Sequence, residues 1–192
     1  MSEAPPLETP QQTRPVLPSK QLPSDYPLID NDPHFKRVVR YARPSDYAWG
    51  AGVAAAVPAA FIVMDRVSPF PGLPKNLHRG PLRLNYFLGA TAGFLYFYSR
   101  SINRFYGFTE NRREVELDMR EMTDKVKKGE PLYGTSSLSE YMQGVASRQT
   151  RYTGVNLAIL PWFNFVNHPY HGVDTAKYYQ NAERELEAEK GR

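Results

Sequence analysis

Two uncharged stretches decide the fold: residues 47–64, YAWGAGVAAAVPAAFIVM, and residues 84–99, LNYFLGATAGFLYFYS. Asp46 and Asp65 close the first, and Arg83 and Arg100 close the second. Eighteen helical residues span about 27 Å and sixteen about 24 Å, against a hydrocarbon core of about 30 Å. Arg83 and Arg100 can snorkel outward and recover the difference. The pair reads as a transmembrane hairpin. Two buried helices of a soluble domain are the alternative, set aside because soluble-core elements are usually shorter.

The residue types inside the spans say more than their hydropathy. The first holds seven alanines and two glycines, so it gains little from lipid tails and more from close approach of another helix. Gly52 and Ala56 form a small-xxx-small pair, and Gly89 and Gly93, in GATAG, a GxxxG; these four are the expected helix-packing residues. Pro58 frees the carbonyl of Ala54 and kinks the first helix unless a neighbour satisfies it. Tyr47 and Trp49 open the first span and Tyr96, Phe97 and Tyr98 close the second, which puts aromatic rings on one membrane face of a hairpin.

The whole chain has 192 residues, enough for one domain with extensions. It lacks cysteine, which excludes disulfides, thiolate metal sites and cysteine nucleophiles. A net charge of +4, dispersed along the chain, does not point to nucleic acid. Mean hydropathy is negative, so most of the chain lies outside the bilayer.

Outward from the spans, residues 1–33 carry eight prolines, a density that forbids regular helix and sheet and favours extended chain. The segment offers little core of its own; it reads either as a disordered tail or, if ordered, as chain laid along a partner. Early Glu3 and Glu8, with Arg14 as the first basic residue, do not fit a cleaved presequence; the chain is expected to enter its membrane uncleaved. Residues 34–46 open with HFKRVVRYAR, a basic interfacial segment or a solvated helix with one docked side, ended before Pro44. Residues 65–83 form a proline-rich, positive loop between the spans. Residues 100–192 form an extramembrane docking region of helices and extended chain. In it, Val115, Met119, Met122 and Val126 make a narrow apolar stripe on a helix capped by Thr109, whose charge run reads as a solvated face. Ser137 and Glu140 have capping-box spacing for a short helix to about Arg148. VNLAILPWFNFVNHPYHG is apolar but too interrupted to cross a bilayer, so it belongs on the membrane surface or against a partner. A last helix, with Asp174 as cap and Tyr178, Ala182 and Leu186 as its stripe, must dock to persist. The fold class is mainly α: a two-helix transmembrane hairpin, an extended N-terminal segment and short amphipathic helices.

No chemical motif stands out. His168 and His171, in HPYH, lack a helical ligand spacing and a completing carboxylate cluster, so no metal is expected. Neither GxxxxGK[ST] nor GxGxxG occurs, and neither span contains an ionisable residue, so no cofactor, catalytic residue or ion path is expected.

The order of these parts resembles a known family. DYPLIDNDPHFKRVVRYARPSDY (residues 25–47), LGATAGF in the second span, YGFTENRREVE (residues 106–116) and LPWFNFVNHPYHGVD together look like the fungal accessory subunits of mitochondrial respiratory complex I named for a mass of roughly 21 kDa, against 21.9 kDa here. The resemblance covers nearly the whole chain. It implies the mitochondrial inner membrane, other membrane-arm subunits of NADH:ubiquinone oxidoreductase as partners, and no catalytic residue. The leading functional expectation is a non-catalytic subunit that stabilises or helps assemble that arm. A free-standing transporter or channel component is the alternative, and an enzyme anchored by the hairpin a third.

Two further expectations concern the membrane. Arg37, Arg40, Arg43, Arg100 and Arg104 gather near one face beside aromatic residues, either as basic pockets for lipid head groups such as cardiolipin or as arginines that snorkel and mark the interface. Lys and Arg near the span ends number eight on the side of both termini and four in the loop, which places both termini in the matrix.

Overall fold

The computed structural model describes residues 21–68, 79–157, 159 and 161–191. It is mainly helical, with no strand among the described residues. The helices are α1 (Phe35–Tyr41), α2 (Pro44–Val67), α3 (Arg79–Tyr106), α4 (Arg112–Lys127), α5 (Glu140–Thr150) and α6 (Ala176–Lys190), with a 3₁₀ turn at Thr153–Asn156.

The two long helices are longer than the uncharged stretches that nucleate them. Pro44 starts α2 at a first-turn position where its missing N–H costs nothing, and the Asp46 carboxylate accepts the Arg43 N–H at 2.8 Å. Residues 65–67 and 79–83, read from sequence as loop, continue the helices; the remaining loop residues, 69–78, lie outside the described set, as do residues 1–20. Among the described helices, α2 is the one long and apolar enough to cross a membrane. α3 includes Arg79, Arg83, Arg100 and Arg104, which dilute its apolar stretch.

α2 and α3 pack antiparallel along a ladder of small residues. A Cβ built at Gly93 would lie 2.4 Å from the Gly50 carbonyl oxygen, and one at Gly89 2.4 Å from the Ala54 oxygen and 3.0 Å from the Pro58 ring. The carbonyl that Pro58 leaves without a helical donor therefore faces Gly89, the geometry in which Cα–H···O contacts form between helices. The Tyr47 and Phe97 rings, 4.6 Å apart, close the ladder at one end.

Beyond that end sits a head that wraps the last turns of α3. Its core is Ile29, Val38, Tyr41, Ala42, Phe97, Tyr98, Ile102, Phe105, Tyr106 and Leu157. Residues 26–31 thread through it: the N–H groups of Tyr26 and Ile29 bond to the Gly107 and Phe105 carbonyls, and Asn31 exchanges backbone bonds with His171 and Tyr152. Gly107, at φ +76°, leaves room for the Tyr26 carbonyl, 2.3 Å from where a Cβ would be. From sequence this stretch reads as tail or as chain laid along a partner. Instead Ile29, Asp30, Asn31 and Asp32 are buried in their own chain.

The peripheral helices follow from capping and docking. Asn111 precedes α4 in place of the Thr109 the sequence predicts, and Ser139, not Ser137, caps α5 by accepting the Met142 N–H at 3.4 Å. Asp174 accepts the Ala176 N–H at 2.9 Å at the start of α6. α6 docks on α4 through Tyr178 and Ala182, both buried, while Leu186 stays exposed.

Candidate functional site

The chain's chemistry-bearing side chains converge in the head, as a chain of buried ion pairs in three nodes. The first stands where α2 and α3 enter it. Asp46, fully buried, is held by Arg104 and, at 3.1 Å, by Arg100. Arg104 also lies 3.5 Å from Glu114 of α4, and Glu114 takes Arg43 at 2.7 Å. Burial raises the Glu114 carboxyl, but Arg43 and Arg104 outweigh it and hold it below the ordinary carboxylate range.

The second node is centred on Arg37 of α1. It bonds Asp118, and lies 3.4 Å from Asp30 and 3.7 Å from Glu121. Tyr178 of α6 donates to the other Asp118 oxygen at 2.6 Å, and Tyr41 donates to Glu121 at 2.6 Å. Arg40 and Lys125 complete the shell of Glu121. Burial pushes the Glu121 carboxyl up; the Tyr41 hydroxyl, Arg37, Arg40 and Lys125 together bring it down to about 2.

The third node holds the two histidines of HPYH. His171 Nδ1 lies 2.7 Å from Asp30 and its Nε2 2.6 Å from the His168 carbonyl. His168 Nδ1 accepts the Tyr170 N–H, which leaves Nε2 to donate to Asp32 at 2.8 Å. Thr150 donates to the same Asp32 oxygen at 2.5 Å. Burial dominates at Asp32 and raises its carboxyl despite these donors. Both histidine rings are thus committed to structural bonds.

Sequence reasoning missed these carboxylates. Glu114 and Asp118 fall in the α4 run that reads as a solvated face, yet both are buried. The reason is a second stripe: residues 114, 118 and 121 step by four and three, the spacing of one helical face. That face meets three arginines, Arg37 of α1, Arg43 at the start of α2 and Arg104 of α3.

The expected site residues divide by this geometry. Gly89 and Gly93 lie at the α2–α3 contact, opposite Gly50, Ala54 and Pro58. Gly52 and Ala56 are exposed on the other side of α2, with nothing within 4 Å of a Cβ built at Gly52. Of the five arginines, Arg37 and Arg104 are buried, Arg43 is bound by Glu110 and Glu114, and Arg40 and Arg100 reach solvent while pairing with Glu121 and Asp46. The Arg100 guanidinium also lies 5.9 Å from the Trp49 ring and 6.0 Å from Tyr96.

These parts have known counterparts. Residues 23–110 match the family model described as NADH-ubiquinone oxidoreductase complex I, 21 kDa subunit, and residues 119–191 the C-terminal model of the same subunit. The first match covers the threaded segment, α1 and the helical pair; the second covers most of α4, α5, α6 and the HPYH loop. A Neurospora crassa protein named NADH-ubiquinone oxidoreductase 20.9 kDa subunit is 59% identical over 172 residues, covering 90% of each chain. The chain belongs to the 21 kDa subunit family of NADH-ubiquinone oxidoreductase complex I.

Proposed function

We propose that the chain is a non-catalytic subunit that stabilises or helps assemble the membrane arm of respiratory complex I, in the mitochondrial inner membrane. The observation that carries this reading is the bare outer surface of the helical pair. Val63, Met64, Leu84, Tyr86 and Phe87 are each more than half exposed in the isolated chain, an apolar surface that water does not tolerate at this extent. Lipid and neighbouring subunits cover it. In this reading α2 and α3 both cross the bilayer as a hairpin, Arg83 and Arg100 snorkelling at the ends of the shorter apolar stretch. Gly52 and Ala56, on the free side of α2, receive a helix of another subunit. Both termini face the matrix, following the excess of Lys and Arg beside the head.

The non-catalytic part of the proposal draws on the bonds of the histidines and acids: each holds the head together. Deleting the chain from cells and resolving mitochondrial membranes on native gels tests the role. The expected result is loss of full-size complex, or its breakdown at milder detergent, restored by returning the chain. Full-size complex of unchanged stability without the chain, or NADH oxidation by the purified chain, refutes it.

A further inference from the structure

A cleft of about 480 Å³ opens beside α1 and α4, away from the Asp46 node. Lys36, Arg37, Arg40 and Lys125 line it against two acids, Asp30 and Glu121. Both acids are already engaged, Asp30 by His171 and Arg37, Glu121 by Tyr41, Arg40 and Lys125. Lys36 is exposed and makes no ion pair among the described residues. The cleft therefore carries uncompensated positive charge.

Its wall continues into an apolar ridge. Val166 and Asn167 line the cleft, and His34 Nε2 donates to the Phe165 carbonyl at 3.2 Å. The neighbouring Trp162 and Phe165 side chains are more than half exposed. The depth of this ridge is fixed by Phe163, whose ring lies 4.8 Å from Tyr98 and 6.0 Å from Phe94. Phe94 lies six residues before Arg100, about 9 Å along the helix at about 1.5 Å per residue. Where α3 spans the membrane, Trp162 and Phe165 sit at the level where acyl chains begin, and the cationic cleft sits beside them.

We propose that the cleft seats the phosphate of an anionic phospholipid of the surrounding membrane, with the acyl chains lying against Trp162 and Phe165. This rests on the membrane reading of α2 and α3 above. It moves lipid recognition from Arg43 and Arg104, which Glu110, Glu114 and Asp46 meet, to Lys36, which pairs with no acid among the described residues, beside Arg40 and Lys125, which share Glu121.

The test uses intact complex bearing a tagged chain. It is incubated with a diazirine-labelled phosphatidylglycerol or an equally labelled phosphatidylcholine, irradiated, and adducts on this chain are mapped by mass spectrometry. The phosphatidylglycerol probe is expected to mark residues around 36–40 and 162–167 roughly fivefold more than the neutral probe, and Lys36→Glu to remove that excess. Native gels of the same samples report whether the chain is in the complex, so a failure of assembly is read separately. Should Lys36→Glu not assemble, Lys36→Gln is expected to lower the excess by the single lost charge. Equal labelling by both probes, or an excess unchanged in the assembled variant, overturns the proposal. Suppression of the labelling by millimolar inorganic phosphate present during irradiation overturns it in favour of a soluble anion.

Discussion

Gly93 gives the sharpest test of how the two long helices meet. A Cβ there would lie 2.4 Å from the Gly50 carbonyl oxygen and 2.7 Å from the Ala54 Cβ. Carbon–oxygen contacts between helices begin at about 3.3 Å, so Gly93→Ala forces the helices about 0.9 Å apart. Both obstacles sit on the α2 backbone or at its Cβ, so no rotamer change relieves them. Overpacking of this kind costs about 1–3 kcal/mol. Replacing glycine in a helix interior returns up to about 1 kcal/mol, which leaves a net cost of up to about 2 kcal/mol, roughly thirtyfold in a docking equilibrium. Gly93→Leu adds the rest of a side chain and abolishes the contact. Gly80→Ala is the control, since nothing lies within 4 Å of a Cβ built there. The assay is retention of the tagged chain in full-size complex on native gels over a detergent series. Retention should fall in the order Gly80→Ala, Gly93→Ala, Gly93→Leu. Full retention of Gly93→Leu refutes the packing.

Three further predictions follow from the head and its placement. Asp118→Ala leaves Arg37 buried without its main partner and should lower the stability of the assembled chain by about 3–5 kcal/mol, seen as early release on heating; Arg112→Ala removes an exposed pair with Glu116 and should change it by less than about 0.5 kcal/mol. The Glu121 carboxyl stands at about 2 in the fold against 4.5 when free, so its contribution is complete above about pH 4.5 and is lost as pH falls toward 2; acid release profiles of the chain should be shallower for Glu121→Gln, and identical profiles would refute the pairing. Protease added to mitoplasts should spare a C-terminal tag if both termini face the matrix, and ready removal of the tag reverses that orientation.

What was legible in the sequence was whatever periodicity and composition encode. The two uncharged stretches mark α2 and α3, and the stripes of α4 and α6 mark helices that dock on each other. GATAG names two of the residues at the close contact. On α2 the sequence singles out Gly52 and Ala56 as a small pair, while the residues that meet α3 are Gly50, Ala54 and Pro58. Residues 50, 52, 54 and 56 are all small, so composition cannot choose between the two faces; the Tyr47–Phe97 contact and the Asp46 pairs fix the rotation instead. The ionic network was illegible for a different reason. A buried carboxylate and a solvated one have the same letter, and only the arrival of Arg37 and Arg104 from distant segments distinguishes Asp118 and Glu114 from Glu116. The threaded segment shows the same limit: IDND looks like surface chain until His168, His171 and Arg37 supply partners for its acids.

That network also explains how a small head holds its form beside two long apolar helices. An apolar core of this size would tolerate several registers of residues 26–32 along α3, because apolar contacts are non-directional. Buried ions do not tolerate slippage: a shift of one residue would separate Asp30 from His171 and Arg37, and Asp32 from His168, leaving unpaired charges inside the fold. The same logic links the head to the helical pair. Asp46 on α2 is read by Arg100 and Arg104 on α3, and Arg104 in turn reads Glu114 on α4. The rotation of the helical pair and the position of α4 are therefore set by one set of bonds. The outer face of α2, and with it Gly52 and Ala56, is presented at a fixed angle to the surface of the head. A subunit that must fit several neighbours at once needs that angle to be unique, and directional ion pairs at the junction supply it where Ala- and Gly-rich helices alone would slide.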